Sequence, residues 1–154
     1  MPDDGAMERL GRQLAHSARR PGIIYFQGDL GTGKTTLVRS LLQGFGYTGK
    51  VRSPTYTLVE AYPLDDLTVY HLDLYRLAAP EELEWIGIRD LLADDASLLV
   101  VEWPERGRGM LPTSDLAFSL EYLNHGRRVE CRVMTARGKK LAEGLPVSVC
   151  KICL

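Results

Sequence analysis

A three-layer α/β domain with a mixed central sheet, ending in an antiparallel hairpin, is the fold this sequence predicts. Three observations carry the prediction. An apolar run, Ile23-Ile24-Tyr25-Phe26, leads into a glycine-rich turn and then into a helical stretch from Leu37 to Leu42, the order of a strand–loop–helix unit. A second apolar run, Leu98 to Val101, has the length of a buried strand and ends on Glu102. Beyond it the pattern changes to alternation: Leu116, Phe118, Leu120 and Tyr122, a turn at Asn124-His125-Gly126, then Val129, Cys131 and Val133, which is a hairpin with one buried face.

The remaining elements follow in chain order. Met7, Leu10, Leu14 and Ala18 recur at helical spacing within residues 5–19, and Pro21-Gly22 breaks that pattern. Gly44, Gly46 and Gly49 end the second helix and open a loop. Two strand-like runs, Tyr56 to Tyr62 and Leu67 to Leu74, are joined by an acidic turn at Asp65-Asp66. Pro80-Glu81-Glu82 starts a helical stretch, with proline early and carboxylates in the first turn. Neither repeats nor Pro/Ser-rich linkers divide the chain. The expectation is one domain over residues 1–138, with a tail at 139–154 that is either part of it or disordered.

Composition narrows the function classes. At 154 residues and 45% hydrophobic content the chain can bury a real core, so it needs no disulfide scaffold. A formal charge of −1 gives no global attraction to nucleic acid or anionic membranes, so any contact with RNA is local or supplied by a partner. The terminal Cys150-x-x-Cys153 lacks a second pair or a nearby histidine to complete a metal site, and reads as a reduced tail. Without a signal peptide or an apolar run of bilayer length, the expectation is a cytoplasmic protein.

The glycine-rich turn is the most specific feature. Gly28-Asp29-Leu30-Gly31-Thr32-Gly33-Lys34-Thr35-Thr36 fits G-x-x-x-x-G-K-[ST] without a mismatch, between a strand and a helix as that motif requires. Glycines at 28, 31 and 33 let the backbone turn tightly and bring its N–H groups toward phosphate oxygens. Together with the helix N-terminus they form an anion site suited to a triphosphate tail. Lys34 reaches the outer phosphates, and the Thr35 hydroxyl ligates Mg²⁺.

Such a loop needs a second acidic site. Glu102, delivered at the carboxyl end of a buried strand, meets that need, holding Mg²⁺ through water or orienting the attacking water. In Tyr70-His71-Leu72-Asp73-Leu74-Tyr75-Arg76, alternation places His71, Asp73 and Tyr75 on one face and Tyr70, Leu72 and Leu74 on a core face. The first face is either a wet sheet surface or an active-site wall. Within it Asp73 is the best candidate for a second carboxylate, and His71 fits a structural hydrogen bond better than a base. Ser53-Pro54-Thr55 is either a phosphate-ordered switch loop or the start of a strand. Arg106, Arg108 and Arg76 are either charge-stabilising lid residues or solvated loop arginines.

Read together, G-D-L-G-T-G-K-T-T, S-P-T-Y-T-L-V-E, H-L-D-L-Y-R-L, E-E-L-E-W-I-G-I-R-D and V-E-W-P-E resemble the TsaE (YjeE) family of bacterial P-loop ATPases, in order and spacing, over about residues 5 to 135. The resemblance implies a P-loop NTPase-like fold and a Mg²⁺-dependent ATPase that takes part in threonylcarbamoyladenosine modification of tRNA, acting with TsaB and TsaD. It implies ATP phosphates on Gly28 and on Gly31, Thr32, Gly33, Lys34, Thr35 and Thr36, with Mg²⁺ on Thr35 and Glu102. Lys34, Asp73 and Glu102 would be the catalytic groups, Thr55 would lie in the switch-like segment, and the chain near Asp4 would lie by the nucleotide base. The tail beyond about Gly138 matches no motif of the family. A small-molecule kinase is the alternative, since it shares the phosphate loop. A GTP switch is disfavoured because Asn124, the only asparagine, is followed by His125 rather than the Lys of Asn-Lys-x-Asp. A direct tRNA-binding module is disfavoured by the charge balance.

Overall fold

The structure, a computed structural model, describes residues 4–54 and 56–152. Helix α1 (Asp4–Ala18) precedes β1 (Gly22–Gln27), and the glycine-rich turn links β1 to α2 (Lys34–Gly44). A pair of strands follows, β2 (Val59–Pro63) and β3 (Thr68–Asp73), then a 3₁₀ turn over Pro80–Ile86, α3 (Ile88–Ala93) and β4 (Ser97–Glu102). After a second 3₁₀ turn at Pro104–Gly107 the chain closes with β5 (Leu116–Leu123), β6 (Gly126–Val133), α4 (Ala136–Leu141) and β7 (Cys150–Ile152).

The seven strands form one sheet in the order β2-β3-β4-β1-β5-β6-β7. Its centre is parallel, β3 beside β4, β4 beside β1 and β1 beside β5, while β2–β3 and β5–β6 are antiparallel. The mixed sheet and the C-terminal hairpin are as the pattern predicts. Parallel register aligns Asp73 with Glu102 and Glu102 with Phe26, so β1, β3 and β4 all end at one edge. That edge is where a nucleotide site of an open α/β sheet belongs.

β4 is apolar along its length because both of its faces are covered. Leu98 and Val100 join Ile24, Phe26 and Val69 against α1 and α2, which contribute Met7, Leu10, Leu14, Leu37, Val38 and Leu41. Leu99 and Val101 pack on the other face with Leu72, Leu74, Leu83 and Ile88. Three layers result, helix pair, sheet and helical cover. Phe26 stacks on Phe118 with centroids 5.0 Å apart, tying the phosphate-loop strand to the hairpin.

Two segments differ from the periodicity. Tyr56 and Thr57 form a turn rather than a strand, because Pro54 accepts a hydrogen bond from Leu58 N and Leu58 sits at φ 67; the strand starts only at Val59. The helical stretch from Pro80 splits in two at Gly87, which adopts φ 74 and caps the 3₁₀ turn before α3 begins. Residue 138 lies inside α4, and Leu141, Leu145 and Val149 beyond it join the main core. Cys131 is buried, with Cys150 beside it in the β6–β7 register; Cys153 lies outside the described residues. Among the described residues no helix is long and apolar enough to cross a membrane.

Candidate active site

The loop between β1 and α2 works only with glycine at its corners. Gly28 adopts φ 149, and a Cβ there would sit 2.5 Å from Leu120 O. Gly33, at φ 106, is the residue that opens α2. Inside the loop the Thr32 hydroxyl donates to Asp29 O at 2.8 Å, and Thr32 is buried beneath the turn. The loop borders a cleft of about 310 Å³ to which Gly31, Gly33, Lys34, Thr35 and Thr36 contribute directly.

The strand ends supply the acidic wall of the cleft. Glu102, 2% exposed, receives a hydrogen bond from Thr35 Oγ1, 3.2 Å from Oε1 and 3.4 Å from Oε2. Asp73 lines the same cleft from β3, and its Oδ1 accepts Tyr75 N at 3.0 Å. His71 is fully buried and its Nε2 lies 2.7 Å from Glu102 Oε2. The β3 face carrying His71 and Asp73 is therefore buried beside the cleft and is not a wet sheet surface. It lies on the side of the sheet against which α1 and α2 pack.

Lys34 sits at the centre. Its ammonium donates to the carbonyls of Gly28 and Asp29, the second at 2.8 Å, and stands 4.6 Å from the centroid of the Trp103 ring. Burial pushes its pKa down, and the charges of Glu102, Asp73, Glu105 and Asp29 oppose that shift. Burial pushes the Asp73 carboxyl up, and Glu102 adds to the shift, while the Tyr75 N–H, His71 and Lys34 hold it back. Two carboxylates facing one ammonium make a setting in which a divalent cation would offset negative charge.

The donor chemistry suits Mg²⁺. Thr35 and Glu102 present hard oxygens within hydrogen-bond distance of each other. Among the described residues no three His, Cys, Asp or Glu side chains converge on a metal position. A cation held by one or two protein oxygens, with phosphates and water completing its shell, is how Mg²⁺ is bound in nucleotide sites.

Three groups at the cleft were not legible as such. Trp103 lines the cleft, with φ 59 and its ring against Lys34 and, at 5.0 Å, Tyr75. A non-glycine residue held in the left-handed region beside a site is strain that the surrounding structure enforces. Arg127 lines the cleft from β6, and Tyr122, its partner in register, donates to Gly31 O. The signal for both lies in topology alone: β5 runs parallel to β1, so the hairpin's turn arrives at the loop edge. Ser53 also lines the cleft, bringing the S-P-T segment to the site; Thr55 lies outside the described residues, as does the side chain of Asp4. Arg106 lies over the rings of Tyr75 and Trp103 at 5.4 and 5.7 Å, Arg76 over Tyr56 at 4.7 Å, and Arg108 lines a separate cleft beside Tyr25. None of these three lines the phosphate-loop cleft.

Comparison with known proteins gives a consistent answer. The family model "Threonylcarbamoyl adenosine biosynthesis protein TsaE" matches residues 1–129. The chain is 44% identical over 146 residues to the tRNA threonylcarbamoyladenosine biosynthesis protein TsaE of Haemophilus influenzae, covering 92% of each. Against the protein of that name from Synechocystis it is 44% identical over 112 residues, 69% of each. The crystal structure of YdiB from Bacillus subtilis superposes with a TM-score of 0.72 over 93% of this chain and 88% of that one, at 23% identity, so the two share a fold. With the family model matching residues 1–129 and the Haemophilus influenzae relative matched over 92% of both chains, this chain belongs to the TsaE family of threonylcarbamoyl adenosine biosynthesis proteins.

Proposed function

We propose that the chain is a Mg²⁺-dependent ATPase that hydrolyses ATP to ADP and phosphate in complex with TsaB and TsaD, in the cytoplasm, and so resets or activates the transferase that modifies tRNA. One observation carries this reading: at the mouth of the phosphate loop, Thr35 and Glu102 meet as hydroxyl and carboxylate, with Asp73 on the neighbouring strand. The loop N–H groups and Lys34 bind the phosphate tail. Mg²⁺, held through Thr35 and Glu102, supplies charge neutralisation on the outer phosphates. Asp73, whose carboxyl is raised by burial, is suited to take a hydrogen bond from the attacking water and orient it toward the γ-phosphorus. As water bonds to phosphorus, the bond from phosphorus to the β,γ-bridging oxygen breaks, ADP leaves with that electron pair, and the water gives up a proton to the Asp73 carboxylate or a phosphate oxygen.

The kinase alternative needs a basic lid over an acceptor pocket, and Arg106 and Arg108, the arginines that suggested one, lie outside the cleft. The test is phosphate release from Mg-ATP by the purified chain, alone and with TsaB and TsaD added. The expected outcome is slow turnover alone, strong stimulation by the pair, and none from Lys34→Ala. Turnover that appears only with a hydroxylated small-molecule acceptor would make the chain a kinase, and undiminished turnover by Lys34→Ala would remove the phosphate-loop assignment.

A further inference from the structure

β3 carries two polar side chains on the face toward α2, Asp73 at the cleft and His71 deeper in the fold. His71, two residues earlier, is fully buried in a layer where Val69, on the same face, is an ordinary core residue. Its Nδ1 has no hydrogen-bond partner among the described residues. An imidazole nitrogen buried without a partner is costly, and an apolar side chain of similar size avoids that cost. What offsets it is the contact at the other end of the ring, Nε2 to Glu102 Oε2 at 2.7 Å. A carboxylate oxygen only accepts, so the hydrogen of this contact belongs on Nε2.

Glu102 is therefore gripped from two elements. From α2 the Thr35 hydroxyl approaches nearest to Oε1, and from β3 His71 holds Oε2. Thr35 alone would not fix the plane of the carboxylate, since its hydroxyl stands at nearly equal distances from both oxygens, 3.2 and 3.4 Å. We propose that His71 is the positioning residue for Glu102: by holding Oε2 it turns Oε1 toward Thr35, where the two oxygens together take Mg²⁺. This rests on the ATPase reading of the site and assigns His71 no contact with nucleotide or metal. Outer-shell partners of this kind typically contribute about 10–100-fold to metal affinity.

The experiment is ADP binding by calorimetry, in excess EDTA and across a Mg²⁺ titration, for the wild-type chain and for His71→Leu, His71→Asn and His71→Gln. Glutamine carries an N–H to about the reach of Nε2; asparagine stops at the position of Nδ1; leucine fills the space with nothing polar. The expected result is an EDTA affinity within about twofold of wild type in every variant, because Lys34 and the loop are untouched. The Mg²⁺ concentration for half-maximal tightening should rise about 10–100-fold in His71→Leu and His71→Asn, and return most of the way in His71→Gln. An unchanged Mg²⁺ midpoint in His71→Asn overturns the proposal. So does glutamine behaving no better than asparagine, or an EDTA affinity that falls in step with the Mg²⁺ response, which marks general structural damage. Should His71→Leu fail to fold around the buried Glu102, the asparagine–glutamine comparison decides on its own. Wild-type protein that binds no ADP, or binds it without regard to Mg²⁺, sinks the ATPase reading itself, a result separable from any of these variant outcomes.

Discussion

Asp73 and Lys34 are each held away from their ordinary titration by the same cause, burial in the cleft, and at the residue scale this sets a conflict between stability and chemistry. A carboxylate whose folded pKa lies above its unfolded value disfavours the folded state once it ionises. The penalty is absent below the ordinary carboxylate pKa, grows as pH rises, and is complete above the raised folded value. Asp73→Asn should therefore be more stable than wild type at neutral pH in the absence of Mg²⁺, and that advantage should shrink as pH falls through the carboxylate range. The same variant should hydrolyse ATP at least about 100-fold more slowly if Asp73 orients the water. Thermal melts in EDTA across pH, paired with phosphate release, check both halves. A variant that is less stable than wild type at neutral pH would recast Asp73 as structural.

At the scale of elements, Asp115 fastens together parts of the fold that are far apart in the chain. It is 3% exposed at the head of β5, where Oδ2 accepts Ile23 N at 2.8 Å and Arg137 Nε at 3.1 Å, and Oδ1 accepts the Thr135 hydroxyl at 2.6 Å. Thr135 in turn caps α4 by accepting Gly138 N. Half-exposed Arg137 contributes little, while the two part-buried donors, Ile23 N and the Thr135 hydroxyl, lose their partner outright if the carboxylate goes. Asp115→Ala should cost about 2–4 kcal/mol, a drop of roughly 5–15 °C in Tm, with ADP affinity unchanged because the phosphate loop lies at the other end of β1. Chemical denaturation together with calorimetry measures both; a variant that loses ADP affinity without losing stability would contradict this division. Elements of this kind also mark where sequence reading succeeds. The apolar strand into glycines, β4 ending in Glu102 and the alternating hairpin are local patterns, and each is observed. Tyr56 to Leu58 has strand composition, but the turn at Pro54 overrides it. β7 is three residues long, too short to leave a period. Arg127 looks like any hairpin arginine until the parallel pairing of β5 with β1, a long-range fact, brings it to the cleft.

For the whole molecule, the question is where tRNA is held. A protein that grips tRNA alone does so by replacing condensed counterions with several lysines and arginines, and its affinity falls steeply with salt. This chain balances 19 basic against 20 acidic residues. Several of its arginines are already engaged within the fold: Arg19 with Asp66, Arg89 with Glu84, Arg137 with Asp115, and Arg76 and Arg106 over aromatic rings. The basic group at the centre of the candidate site, Lys34, is buried and turned to the phosphate loop. Such a surface predicts tRNA affinity no better than the non-specific range, Kd weaker than about 10 μM at physiological salt. Fluorescence anisotropy with labelled tRNA over a salt series tests this, first on the chain alone and then with TsaB and TsaD present. Submicromolar binding by the chain alone, with a steep salt slope, would mean that a basic surface of this protein contacts the substrate directly. Weak binding alone, with tight binding once the other two proteins are added, puts recognition of the RNA on the partners and leaves this chain the nucleotide-driven step.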